Sequence, residues 1–417
     1  MMRGSSTTSR TPVCLATAVF LLLAAWGQAR PSEAPKGPAA VVDAAKYDTL
    51  QEALDAVPEA GGIVRLPPGD FPLEQPLILS RENTRVVGSG AATHLINKNT
   101  QGKPAFVVRS MQQDRERKAR LWRVQLADFR ISGNPDSGDG LQVEGANEIY
   151  IDGLSIDHNG GHGMNLIDCY EDPRIVNSII TYNGKAGMNV LGAHDMVVNG
   201  NQFEENHDGL RFINGFNLCM TGNVLDDHLG DGVVIERTYG SVVSGNMIEE
   251  CRGTAIILDR DCYGITLSSN VIAHNQKGGV DLRDAWGCAV SANTFTLIPK
   301  QSIRVGPKAG RIAITGNAFS NSYLGGKTKY HERHDTEWPN VTLGSGILLE
   351  GTSDIAITGN SFTGLQENAV QTVGECQRIT ITGNVATDLG RSGSQKVPAF
   401  DVQNVRGLVR GNNAVDD

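Results

Sequence analysis

The sequence predicts an all-β fold: a single-stranded, right-handed parallel β-helix of about 11 regular rungs, with a short N-terminal capping helix. Three observations predict it. One hydrophobic column, Ile131, Ile156, Ile180, Phe203, Leu225, Ile248, Ile272, Phe295, Phe319, Phe362 and Ala386, returns every 22 to 25 residues, with one step of 43. A fixed period of that size marks a repeat architecture. Each unit carries Gly-apolar-x-apolar, as in Gly209-Leu210-Arg211-Phe212 and Gly279-Val280-Asp281-Leu282. Apolar residues at i and i+2 share one strand face. Gly-Asn pairs such as Gly200-Asn201, Gly222-Asn223 and Gly359-Asn360 separate the strands and supply turn conformations. The unit is shorter than the ~30 residues of a βαβ crossover. Coiling lets each strand pair with its equivalent one turn on, with rungs about 4.8 Å apart.

The elements follow in order. Residues 1–30 read as a secretory signal: Arg3 and Arg10, an apolar run at 13–26, then the small-residue site Gly27-Gln28-Ala29. That run is too short to span a bilayer, so the mature chain is expected to be secreted or periplasmic, without membrane contact. Residues 31–40 are a Pro/Ala-rich linker. Residues 48–57 form an amphipathic helix, with Asp48 as the expected N-cap, covering the first rung. The β-helix domain takes 41–412, and 413–417 form a tail. Asn134, Asn159, Asn183, Asn206 and Asn275 recur at one turn position, as stacked amides do. The 43-residue step implies a loop insertion at 321–344, holding Lys327, His331, His334 and Trp338. A loop of this length on a solenoid suggests a wall over one end of a groove.

Formal charge is −9, and losing 1–30 removes three arginines and no acids. This excludes nucleic acid as the expected partner. Beyond Cys14, six cysteines remain, with no CxxC pair and no metal-ligand spacing. They read as free thiols, with one disulfide of undetermined pairing open to an exported chain.

The stretches 49–54 (TLQEAL) and 61–71 (GGIVRLPPGDF), together with the Gly-apolar-x-apolar and Gly-Asn repeats, resemble the entry and coils of pectin-lyase-like right-handed β-helix proteins. That superfamily includes pectate lyases, polygalacturonase-type hydrolases and alginate epimerases. The resemblance covers about 41–412 and implies fold more than chemistry, because binding-only members share the repeat.

Function is therefore read from surface columns. The residue two before each strand's first apolar position reads Asp139, His162, Ala186, Asp208, Asp231, Thr254; the outward mid-strand residue reads Gln142, Asn165, Asn189, Arg211, Val234. Carboxylates and imidazoles crowd into five rungs, where a linear polysaccharide can lie. Stacked carboxylates repel, so Asp208→Asn is expected to leave stability equal or higher. Asp208, Asp231, His207, Arg211 and His162 are the candidate catalytic residues. Asp139, Asn165, Asn189, His228, Tyr239 and Trp338 are the candidate substrate contacts. Tyr239 belongs to an aromatic column with Tyr170, His194, Phe216 and Trp286, suited to mutual stacking or to sugar faces.

Gly161-His162-Gly163 resembles the Gly-His-Gly strand of polygalacturonases, but no Asp-Asp pair precedes it and the Arg-Ile-Lys motif is absent. Three readings follow. The first is a polysaccharide lyase acting on a uronate glycan by β-elimination. Here Asp208 and Asp231 hold Ca²⁺ against the uronate carboxylate, and Arg211 or His207 removes the proton. The second is an inverting glycoside hydrolase with His162 as accessory acid. The third is a non-catalytic glycan-binding module, and C5-epimerase chemistry also stays open. The protein is expected to act as a monomer.

Overall fold

The computed structural model describes residues 40–112, 116, 119–321, 344–391 and 397–416. The signal, most of the linker, and most of the insertion with Trp338 lie outside the described residues.

Each coil gives one strand to each of three parallel sheets. In one coil, Val197–Asn199 joins the first sheet, Gln202–Glu204 the second and Leu210–Ile213 the third. The third sheet has 13 strands in the described residues: the 11 regular rungs expected and two more. The difference is the irregular early chain, where Leu77–Leu79 and Phe106–Arg109 already pair as third-sheet strands.

The predicted hydrophobic column is the core line of the second sheet. Ile131 pairs with Ile156, Ile180 with Phe203, Phe203 with Leu225, and so on to Phe362 with Ala386. All eleven members are buried. Phe319 stacks on Phe362 with centroids 4.6 Å apart, so the 43-residue step leaves the register intact.

Two asparagine ladders seal the turns. In the turn between first and second sheets, Asn201, Asn223, Asn246, Asn270, Asn293, Asn317, Asn360, Asn384 and Asn413 follow one another. Asn293 shows the pattern. Its Nδ2 donates to Asn317 Oδ1 and to Leu267 O, and its Oδ1 accepts the backbone N–H and Nδ2 of Asn270. Every polar atom of a buried amide is thereby satisfied, which apolar packing alone cannot do for a turn. The preceding Gly200 has φ +67°, a left-handed conformation open to glycine. The second ladder, Asn159–Asn183–Asn206, lies in the turn before the third sheet and takes three of the five expected asparagines; the side-chain amides of Asn134 and Asn275 donate to backbone carbonyls instead.

At the N-terminal end the helix is Leu50–Asp55, shorter than expected, and buries Leu50, Ala53 and Leu54. Its cap is Thr49, whose side chain accepts from Glu52 N–H; Asp48 lies outside. At the other end Ala414–Val415 still adds a strand to the second sheet, inside the expected tail.

Candidate active site

The predicted column lies on the outer face of the third sheet, at the turn that enters it. Its geometry is a capping ladder. Asp139 Oδ1 accepts the backbone N–H of His162 at 2.7 Å. His162 Nδ1 accepts that of Ala186 at 3.2 Å. Asp208 Oδ1 accepts that of Asp231 at 3.0 Å, and Asp231 Oδ1 that of Thr254 at 2.8 Å. Each side chain satisfies a backbone donor one coil further on. Ala186 has no such side chain, so the ladder opens into a notch between His162 and Asp208.

The walls of the notch are tied down. Asn189 donates to Asn165 Oδ1 at 3.0 Å, and Asn165 donates to Asp139 Oδ2 at 2.8 Å. Asp208 is buried and accepts from His207 Nδ1 at 3.1 Å and from Arg211 at 3.0 Å. A carboxylate accepts, so in the neutral His207 ring the proton belongs on Nδ1 and Nε2 keeps its lone pair. His207 is itself exposed. The result is an imidazole oriented from behind by a fixed carboxylate.

His162 is oriented the opposite way. Its Nδ1 takes the Ala186 N–H, so in the neutral ring Nε2 carries the hydrogen. Burial lowers its pKa; Asp139 opposes this, and the cations Lys185 and Arg211 push in the same direction as burial. His162 is thus a neutral hydrogen-bond donor. Lys185 acts on this imidazole and so belongs to the site. Sequence columns missed it because it stands one residue before Ala186, the gap in the titratable series.

Three expectations are corrected. Arg211 is held between Asp208 and Glu236, at 3.0 and 3.9 Å, so it is a paired cation and not a base. Asp208 is a poor calcium ligand, since both its oxygens already accept donors, three in all. The Asp208/Asp231 pair therefore does not fit the ion. His228 is 0% exposed and points inward, occupying the asparagine-ladder position after Asn206; burial pushes its pKa down to about 4. It cannot reach a substrate.

Among the described residues, one carboxylate group has metal-binding spacing: Asp226, Asp227 and Glu250, with ligand atoms within 4.8 Å of one another. It lies on the second-sheet side of the same turns. Burial, then Asp227, raises Asp226 to about 6 and Glu250 to about 8.

Tyr239 is 45% exposed but is committed to the aromatic ladder. Phe216 and Tyr239 stack with centroids 5.1 Å apart and planes 9° apart, and Tyr239 meets Tyr263 at 5.7 Å. Rings stacked along the axis turn their edges, not their faces, to solvent, so Tyr239 offers no face to a sugar. Beside it, Arg260 pairs with Glu236 and Arg283 with Asp259 across coils. The six cysteines are free thiols, five of them buried.

The right-handed beta helix region model matches residues 121–264, 207–319 and 255–414. The chain belongs to the right-handed β-helix family. Among curated proteins none matches. Two mannuronan C-5 epimerase A-modules of Azotobacter vinelandii are similar in structure, with TM-scores 0.53 and 0.54 at 18% and 16% identity, each over 88% of this chain and 95% of the module. The catalytic unit of a thermostable α-1,3-glucanase from Streptomyces thermodiastaticus gives TM-score 0.52 at 16% identity, over 93% of this chain and 70% of that one. These likenesses show the right-handed β-helix fold. No helix among the described residues is long and apolar enough to cross a membrane.

Proposed function

We propose that this polysaccharide-acting β-helix protein is a lyase that cleaves uronate-containing glycans by β-elimination. The observation that supports it most is the His207–Asp208 pair, which orients an exposed imidazole on the Gly230 side of Asp208, one coil on from the notch. A uronate's C5 proton is acidic because of its carboxylate. His207 Nε2 takes that proton. The electron pair forms the C4–C5 double bond, the C4–O bond breaks, and the departing oxygen takes a proton from solvent. Charge that builds on the carboxylate meets the Lys185 ammonium, carried one coil before His207, a donor that requires no metal. Hydrolysis is less well supported, because Asp139 and Asp208 both spend their oxygens on fixed donors and neither is a free acid or base. The named activity of the two epimerase modules concerns C5, the same carbon. Epimerisation would need a proton donor on the opposite sugar face. The reading includes export by the N-terminal segment and action as a monomer.

The test is incubation with a panel of polyuronates, followed by ultraviolet absorbance of unsaturated chain ends and by deuterium uptake at C5. Unsaturated ends support the lyase. Deuterium without chain cleavage replaces it with an epimerase. New reducing ends without unsaturation mark a hydrolase, and binding without change marks a silent module.

A further inference from the structure

The turn entering the third sheet carries a second row of charge, beside the capping ladder. The position before that ladder reads Gly161, Lys185, His207, Gly230, Gly253, Lys277 and Lys300, with Arg252 next to Gly253. Backbone bonds from His207 to Lys185, Gly230 to His207, Gly253 to Gly230 and Lys277 to Gly253 hold these positions in one line. Lys185, Arg252, Lys277 and Lys300 are exposed, and no ion pair involves them among the described residues.

That is unusual on this molecule. Acids outnumber bases 46 to 37, and four arginines on the outer side of the same sheet have found carboxylates: Arg211 with Asp208, Arg260 with Glu236, Arg283 with Asp281, Arg304 with Asp281. Carboxylates do lie close to the unpaired row. Glu205, Asp227 and Glu250 start the same turns, yet they gather into their own ridge on the second-sheet side. The row thus runs between that acidic ridge and the capping ladder, whose carboxylates already accept backbone donors. An anionic chain on the notch side meets attraction from the row and repulsion from the ridge, so it is confined laterally as well as held.

The row is also one-sided. It starts at the notch with Lys185 and runs five coils to Lys300, about 24 Å at about 4.8 Å per coil. On the other side of the notch the same position holds Gly161 and Gly138. We propose that this row is a binding track for the anionic glycan, which leaves the notch and runs toward the C-terminal coils. Its direction rests on the reading of the notch as the reacting site; the binding itself does not. Polyuronate carboxylates, one per sugar, suit the Lys185 cation and the run Arg252, Lys277 and Lys300 on successive coils better than a neutral glucan does.

The experiment is calorimetric titration of the full chain with polyuronate oligomers of increasing length and with a neutral glucan, at low and raised salt. The comparison protein carries Arg252→Ser, Lys277→Ser and Lys300→Ser. All three are exposed, and an unchanged urea midpoint checks that it folds. Affinity of the wild type should rise with oligomer length and fall with salt. The triple variant should lose roughly tenfold on the longest oligomer, three exposed charge pairs' worth, and most of its length dependence. The track is overturned by equal length dependence in both proteins, or by a neutral glucan or single-stranded nucleic acid binding the wild type as tightly. If the wild type cleaves no uronate but still loses length-dependent binding on the triple substitution, the lyase reading fails and the track stands.

Discussion

The Asp208 carboxylate accepts the backbone N–H of Asp231, one coil further on, at 3.0 Å. Two acids stacked in register would repel if their oxygens faced each other. Here each oxygen faces the amide dipole of the next coil, so the column is a set of caps before it is anything else. The expected repulsion between Asp208 and Asp231 is replaced by a bond from one residue's backbone to the other's side chain.

Asp208→Asn should therefore destabilise, by about 1–2 kcal/mol, because the Arg211 and His207 donors lose their charged acceptor. The urea midpoint measures it. Turnover should fall as well, since His207 loses the partner that fixes its tautomer. An unchanged or higher midpoint would restore the repulsion account.

His207→Gln keeps bulk and polarity but removes the base. Turnover should drop roughly 100-fold or more, with polyuronate affinity held within a few-fold. Parallel loss of affinity would make His207 a binding residue.

His228 offers a pH test. Its folded pKa is depressed from 6.5 to about 4, so between these values the unfolded chain binds more protons. Stability contributed by the neutral ring is present above 6.5 and lost as pH falls toward 4. Neither ring nitrogen makes a well-formed hydrogen bond, the Asn206 backbone being a weak partner, whereas an asparagine there would continue the ladder from Asn206. His228→Asn should raise stability by about 1 kcal/mol at pH 5 and flatten this part of the curve. Thermal melts across pH 4 to 7 read it out.

Glu250 has the opposite sign. Its folded pKa is raised from 4.5 to about 8, so the folded chain binds more protons in that window and stability falls as pH rises through it. Glu250→Gln should lift the urea midpoint at pH 8 and leave it nearly unchanged near pH 4.5. Equal gains at both pH values would mean that the effect is packing.

Asn293→Ala removes one link from the turn ladder, leaving the Asn270 N–H and the Leu267 carbonyl without their partners. The cost should be about 2–4 kcal/mol, read from the urea midpoint.

The hydrophobic column was legible member by member, because a core position repeated every coil admits only apolar side chains. The early coils, at 62–65, 77–79, 84–87 and 106–109, were legible as short apolar runs although they fall outside the regular period. His228 was misplaced for a definite reason. At the inward turn position a histidine and an asparagine share the same spacing, and spacing alone does not say which way a turn residue points. Lys185 was invisible because a search for aligned acids and imidazoles passes over a lysine beside an alanine. The capping role of Asp139 and Asp208 needed the backbone donor one coil away, which no linear pattern displays.

Coils that bond only to their neighbours behave as a one-dimensional chain, and this has a kinetic consequence for the notch. The last first-sheet strand, Val405–Gly411, is largely exposed, whereas strands of the interior coils are sandwiched on both sides. Opening therefore starts at a terminus and must travel inward, coil by coil. The reacting groups, on coils with several intact neighbours on either flank, are insulated from fraying. Amide exchange should slow progressively from the terminal strands toward Met188–Ala193, so that the proposed reacting groups sit in the least mobile part of the molecule.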